Sequence, residues 1–214
     1  MKAMNPSLLA VAMTAALSVS AVQAQGISDD KVKIGVLGDM GGVYADVCGP
    51  GCVTAVNMAV EDFGGSVLGN PIEVVSADDQ NKPDIGSAKV REWVENQEVD
   101  VVTGLVASSV TGAVTKVLTD AKKIAMITGS ASHAFTTKSC SPYNAHWTYN
   151  VVALAQGTVK PMVQSGKKRW FFVTADYAFG HALEKVASGV IGKNGGEVVG
   201  SVRVPLGTTD FSSY

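Results

Sequence analysis

Short blocks of consecutive apolar residues alternate along this chain with longer stretches whose apolar positions recur at helical spacing. Residues 32–37 (VKIGVL), 71–77 (PIEVVSA), 99–105 and 124–127 have the continuous apolar character of strands covered on both faces. Between them, Val53, Val56, Ala59, Val60 and Phe63 form a helical stripe that Gly64 and Gly65 close. Pro83 opens a second stripe through Ile85, Ala88, Val90, Trp93 and Val94. Val110, Val114, Val117 and Leu118 form a third, with Ser108 and Ser109 at the expected N-cap. Strands alternating with helices predict a parallel sheet with helices on both faces. A second βα series follows: a helix over residues 151–164, a strand over 170–174, a helix over 182–191 and a strand over 198–204.

The polar residues fall where such a sheet puts chemistry. Loops at the carboxyl ends of neighbouring parallel strands face one crevice. Asp39 to Tyr44, Asp78 to Asn81, Ser108–Ser109 and Gly129 to Ser132 are therefore expected on one rim. Two hydroxyl-rich loops beside a helix N-terminus, with its free N–H groups, suit a small anion, most simply a carboxylate. Asp39, Asp78 and Asp79 read as solvated rim carboxylates or capping groups. Tyr44, Trp147 and Tyr149 are candidates for an aromatic side-chain pocket. Residues 136–150, poor in aliphatics and rich in aromatics, read as a connection between lobes, and Asp176 and Tyr177 end a strand of the second lobe.

Composition narrows the function. A net charge of -2 over 214 residues offers no basic face for nucleic acid, and no basic amphipathic run suggests a membrane surface. Lys2, the apolar residues 8–19 and Val22-Gln23-Ala24 read as a secretory signal peptide cut after Ala24, so the mature chain is expected outside the cytoplasm. In that oxidising compartment the three cysteines, Cys48, Cys52 and Cys140, leave all three pairings open. The glycines after the first strand follow GxxGG and no GxxxxGK occurs, so no nucleotide fingerprint is present. The histidines match no metal-ligand spacing. No cofactor and no metal are expected. A hydrolase built from Ser130, His133 and Asp39 or Asp176 lacks a GxSxG elbow, and no enzymatic activity is expected.

Several segments together carry a family likeness: VKIGVLGDMGG, MAVEDFGG, LGNPIEVVSADDQNKPD, SSVTGAV, Gly129 to Ser132, Cys140-Ser141-Pro142 and Asp176-Tyr177-Ala178-Phe179-Gly180, in that order. The chain resembles the substrate-binding proteins of branched-chain amino acid (leucine/isoleucine/valine) type ABC transporters. The resemblance implies an α/β, two-lobed periplasmic-binding-protein fold with parallel doubly wound sheets that closes on ligand about a hinge. Residues 1–24 would be the signal peptide, 25–142 the first lobe, 143–150 the hinge crossover and 151–214 a partial second lobe. About 65 residues beyond the connection are few for a doubly wound lobe, so the sequence reads as an N-terminal fragment with the second lobe incomplete. The resemblance also implies ligand contacts from Ser108, Ser109, Ser130, Ala131, Ser132 and Tyr44 in the first lobe, Tyr149 at the hinge, and Asp176 and Tyr177 in the second. The expected role is capture of an amino acid or small carboxylate in the periplasm and delivery to an ABC transporter membrane permease. A ligand-sensing receptor of the same fold, partnered with a regulator, is the alternative.

Overall fold

The computed structural model describes residues 30–214; the expected signal peptide lies outside the described residues. Strands β1 (Val32–Gly38), β3 (Asn70–Asp78), β4 (Val101–Gly104), β5 (Ile124–Ile127) and β6 (Asn144–His146) pair in parallel, and β2 (Ser66–Val67) pairs antiparallel with β3. The six-stranded order is β2-β3-β1-β4-β5-β6. The order reverses about β1: β3 lies on one side and β4 on the other, so the crevice opens between the loops that follow β1 and β4.

The helices are α1 (Ala45–Cys48), α2 (Pro50–Phe63), α3 (Pro83–Asn96) and α4 (Ser108–Asp120), followed by a 3-10 turn at His133–Thr136. Val90 and Trp93 of α3 and Val110, Val114 and Leu118 of α4 join Leu37, Val102 and Ile127 of the strands in one core, all 2% exposed or less. Trp93 fits because Gly35 has no side chain; a Cβ there would lie 2.6 Å from the indole ring. At the end of β4, Gly104 takes φ +91°, and a Cβ would collide with the Leu37 carbonyl. That turn aims the chain into α4.

Residues 143–150, expected as the crossover, begin as β6, whose Ala145 lies opposite Met126 of β5. Three residues at a sheet edge carry no alternation to read, which hid them among the polar neighbours. The chain then enters α5 (Val151–Leu154), a π-helical turn (Ala155–Val159) and α6 (Lys160–Gln164). Pro161 has no N–H to give to the preceding turn, and the wide turn sits just before it. Strands β7 (Arg169–Ala175) and β8 (Glu197–Val204) form a two-stranded parallel sheet, crossed by α7 (Ala178–Lys193). Ala155, Ala187 and Val190 form its small core, while Phe171 and Val173 of β7 stay exposed. The helix α7 begins four residues earlier than its pattern suggests, so Ala178 to Gly180 are its first turn rather than loop. Gly180 permits this, since a Cβ there would strike the Ala175 carbonyl.

Candidate functional site

The crevice is built from the loop after β1 upward. Asp39 is 3% exposed, and its carboxylate accepts the N–H groups of Gly42 (2.7 Å) and Tyr44 (3.0 Å) and the side-chain amide of Asn81. Burial pushes this carboxyl up, but the N–H donors outweigh it and hold it below the ordinary carboxylate value. Asp78 accepts from the N–H groups of Met40 and Gln80, and Asp79 from that of Asn81. Burial raises the Asp79 carboxyl, and the neighbouring Asp39 and Asp78 add to it against the Asn81 hydrogen bond. These rim carboxylates shape loops: Asp39 fixes the backbone of Tyr44, at the start of α1.

The same short helix carries a disulfide. Cys48 pairs with Cys52, their Cα atoms 4.9 Å apart, and Cys140 is free and exposed. The Cys48 N–H donates to the Tyr44 carbonyl (3.0 Å), so Tyr44 is tied at its own N–H by Asp39 and at its carbonyl by the bridged helix.

The N-cap of α4 is Ala107, not Ser108 or Ser109, and no side chain caps it. The left-handed turn at Gly104 and Leu105 (φ +55°) starts the helix at Ser108. Its first internal bond runs from the Thr111 N–H to the Ala107 carbonyl (2.8 Å), which places the Ser108, Ser109 and Val110 N–H groups at the open end. The Ser108 hydroxyl, released from capping, meets the Ser130 hydroxyl at 2.8 Å. Ser108 is 4% and Ser130 0% exposed. His146 of β6 donates its Nε2 proton to the Ser130 carbonyl at 2.7 Å, since a carbonyl only accepts. Ser132 accepts the Ala134 N–H (3.3 Å) and caps the 3-10 turn. Among the described residues no histidine nitrogen bonds a serine hydroxyl: His133 Nδ1 is buried without a partner, and His181 pairs with Asp176.

Across from these serines stands the second sheet. Tyr177 brings its hydroxyl onto that of Tyr44, with ring centroids 6.3 Å apart. Burial, then the hydrogen bond with Tyr44, raises the Tyr177 phenol far above its ordinary value, so it stays neutral. Tyr44, Ala131, Tyr149 and Tyr177 share the wall of a small cavity of about 110 Å³ with Val106 and Phe179. Ser108 and Ser132 open instead onto a larger groove of about 740 Å³, and Ser130 is buried between the two serine loops. Ser109 lines neither space. Asp176 stands apart as well, its carboxylate 2.7 Å from His181 and 3.9 Å from Arg203. Trp147 is 78% exposed and contributes to neither. Val106 and His146 were not expected to build the site, and His146 sits on the strand that no pattern marked; Asp39 and Asp79 were expected on the rim but as solvated or capping carboxylates, whereas both are buried because they accept loop N–H groups.

A family model described as "Periplasmic binding protein" matches residues 31–214. Leu/Ile/Val-binding protein homolog 6 of Brucella abortus is 28% identical over 203 residues, covering 94% of this chain and 51% of the relative. A periplasmic binding protein of Burkholderia mallei is 48% identical with a TM-score of 0.84, over 86% of this chain and 49% of that one. An ABC transporter solute-binding protein of R. palustris, solved with 4-hydroxybenzoate, is 29% identical with a TM-score of 0.76, over 85% and 49%. The chain thus spans about half the length of the relatives it matches. The match over nearly all the described residues and the parallel sheet with its serine-lined crevice agree: this chain belongs to the periplasmic binding protein family.

Proposed function

We propose that this chain forms the carboxylate-gripping part of an extracytoplasmic solute-binding protein. It would capture an amino acid or related small carboxylate in the periplasm, without catalysis, and deliver it to the membrane permease of an ABC transporter. The observation that carries this reading is the convergence of the α4 start with the Ser130 loop: free N–H groups at Ser108 to Val110 beside the Ser108–Ser130 hydroxyl pair at 2.8 Å. Helix N–H groups and hydroxyls hold a carboxylate without a fixed cationic partner, which suits a ligand that must be released again. Ser108, Ser132 and the N–H groups of the α4 start would take the carboxylate, with Ser130 holding the Ser108 hydroxyl in place. Tyr44, Tyr149 and Tyr177, around the small cavity beside the groove, would bring the second sheet against the first. Asp176, held by His181, would position the start of α7 rather than touch ligand.

The ligand class follows from the neutrality of this set. A Leu/Ile/Val-binding homologue and a 4-hydroxybenzoate complex both occur among the relatives, and each ligand offers the carboxylate that these groups suit. Thermal melts of the full chain with L-leucine, L-isoleucine, L-valine, L-glutamate and 4-hydroxybenzoate test the reading. At least one should raise Tm in a concentration-dependent way. A flat response to all of them would reject it.

A further inference from the structure

The groove that opens from Ser108 and Ser132 has a chemistry the proposed carboxylate grip does not use. Its volume, about 740 Å³, far exceeds that of the tyrosine-lined cavity beside it, about 110 Å³. One wall is a whole face of α7, on which Ala182 and Gly189 keep the floor open while His181 and Lys185 rise from successive turns and Lys193 from two turns further on. Lys138, from the turn after His133–Thr136, stands on the opposite wall. Among the described residues no Asp or Glu lines the groove. His181 has a partner in Asp176, but Lys138, Lys185 and Lys193 are in no ion pair among the described residues.

The open helix start at one end and three ammonium groups outside any ion pair along the walls give the groove an excess of positive charge. We infer that the groove receives a second anionic group on the same ligand, so that the preferred ligand is a small dianion: one carboxylate at Ser108–Ser132 and the other between Lys138 and Lys185. This rests on the carboxylate grip proposed above and adds the charge of the ligand's far end. A monoanion fills the grip and leaves the lysines to solvent. A dianion engages both, and its advantage is sensitive to salt because the lysines are exposed.

The test uses matched probes that differ in the second charge: terephthalate against 4-hydroxybenzoate, and succinate against succinamate. Titration calorimetry on the full chain at 50 mM salt should show the dianion of at least one pair binding roughly fivefold to thirtyfold tighter, as expected for two partly exposed ion pairs. The advantage should shrink at 500 mM salt and vanish in the double variant Lys138→Gln, Lys185→Gln, with affinity for the monoanion kept within about twofold. Equal affinities within both pairs, or an advantage that survives the double variant, overturns the inference. Binding of L-leucine or 4-hydroxybenzoate without preference for either dianion overturns the dianion inference and leaves the carboxylate grip standing. No binding by any probe overturns both.

Discussion

Replacing Asp39 with Asn tests how the crevice is held in shape. The native carboxylate receives three donors, the N–H groups of Gly42 at 2.7 Å and Tyr44 at 3.0 Å and the Asn81 amide. An Asn keeps one acceptor oxygen and turns an NH₂ towards at least one of those donors, a donor-to-donor contact. Each hydrogen bond to a charged acceptor contributes roughly 1.5–3 kcal/mol. Gly42 is exposed and Tyr44 half-buried, so water recovers part of the loss and the change should cost about 2–4 kcal/mol. For a domain of this size that is a fall in Tm of roughly 5–15 °C. The cost depends on pH with a definite sign. The folded pKa of Asp39 lies below its unfolded value, so its stabilisation is fully present above the unfolded pKa, about 3.9, and is lost as pH falls through the folded one. Urea melts of both proteins should show a gap that is flat above about pH 5 and closes in stronger acid. A gap below about 0.5 kcal/mol at pH 7, or one that widens on acidification, would refute the assignment of Asp39 as the anchor of Tyr44.

Three further outcomes follow from the same geometry. Asp79→Asn should be neutral or stabilising at pH 7 by urea melt, the opposite of Asp39→Asn. Burial raises the Asp79 pKa above its unfolded value, so its charged form opposes folding at neutral pH and the penalty fades as pH falls through the folded value. Gly104→Ala should cost more than about 2 kcal/mol, because it forces a side chain into φ +91° and against the Leu37 carbonyl, and it should delay or abolish refolding of the first sheet followed by circular dichroism. The double replacement Cys48→Ser, Cys52→Ser should lose about 2 kcal/mol by the chain-entropy arithmetic for so short a loop, and reduction of the wild type should give the same shift.

The parts of this fold that could be read from sequence are those whose burial leaves a periodic mark. Strands β1 and β4 are apolar runs that end buried under α3 and α4, and those helices show the stripes that cover them, whereas β5, read as covered on both faces, buries only Ala125 and Ile127 and leaves Ile124 and Met126 exposed. Elements too short to hold a period escaped: β2 with two residues, β6 with three and α1 with four. The site divides the same way. Ser108 and Ser130 could be placed because each follows a buried strand, and the structure brings their hydroxyls together. The start of α4 was misplaced by one residue because Ser is a good N-cap, whereas here the Gly104–Leu105 turn sets the entry and Ala107 takes that position. Asp176 looked equivalent to Tyr177 in sequence, yet neighbouring residues leave a strand end in different directions, and Asp176 turns to His181 and Arg203. The disulfide pairing had no sequence signal beyond spacing; the four-residue helix that brings Cys48 near Cys52 decides it.

The central claim is that a ligand's carboxylate sits at the start of α4 against the Ser130 loop. The direct measurement is an amide NMR titration of the ¹⁵N-labelled full chain with whichever of L-leucine or 4-hydroxybenzoate gives the larger rise in Tm. The account predicts saturable shifts of the Ser108, Ser109 and Val110 amides and of Gly129 to Ser132. It also predicts that Ser108→Asp, which puts a carboxylate of the chain's own at that helix start, abolishes them. Saturable binding that leaves those amides unmoved, or that survives Ser108→Asp in a folded protein, would contradict it.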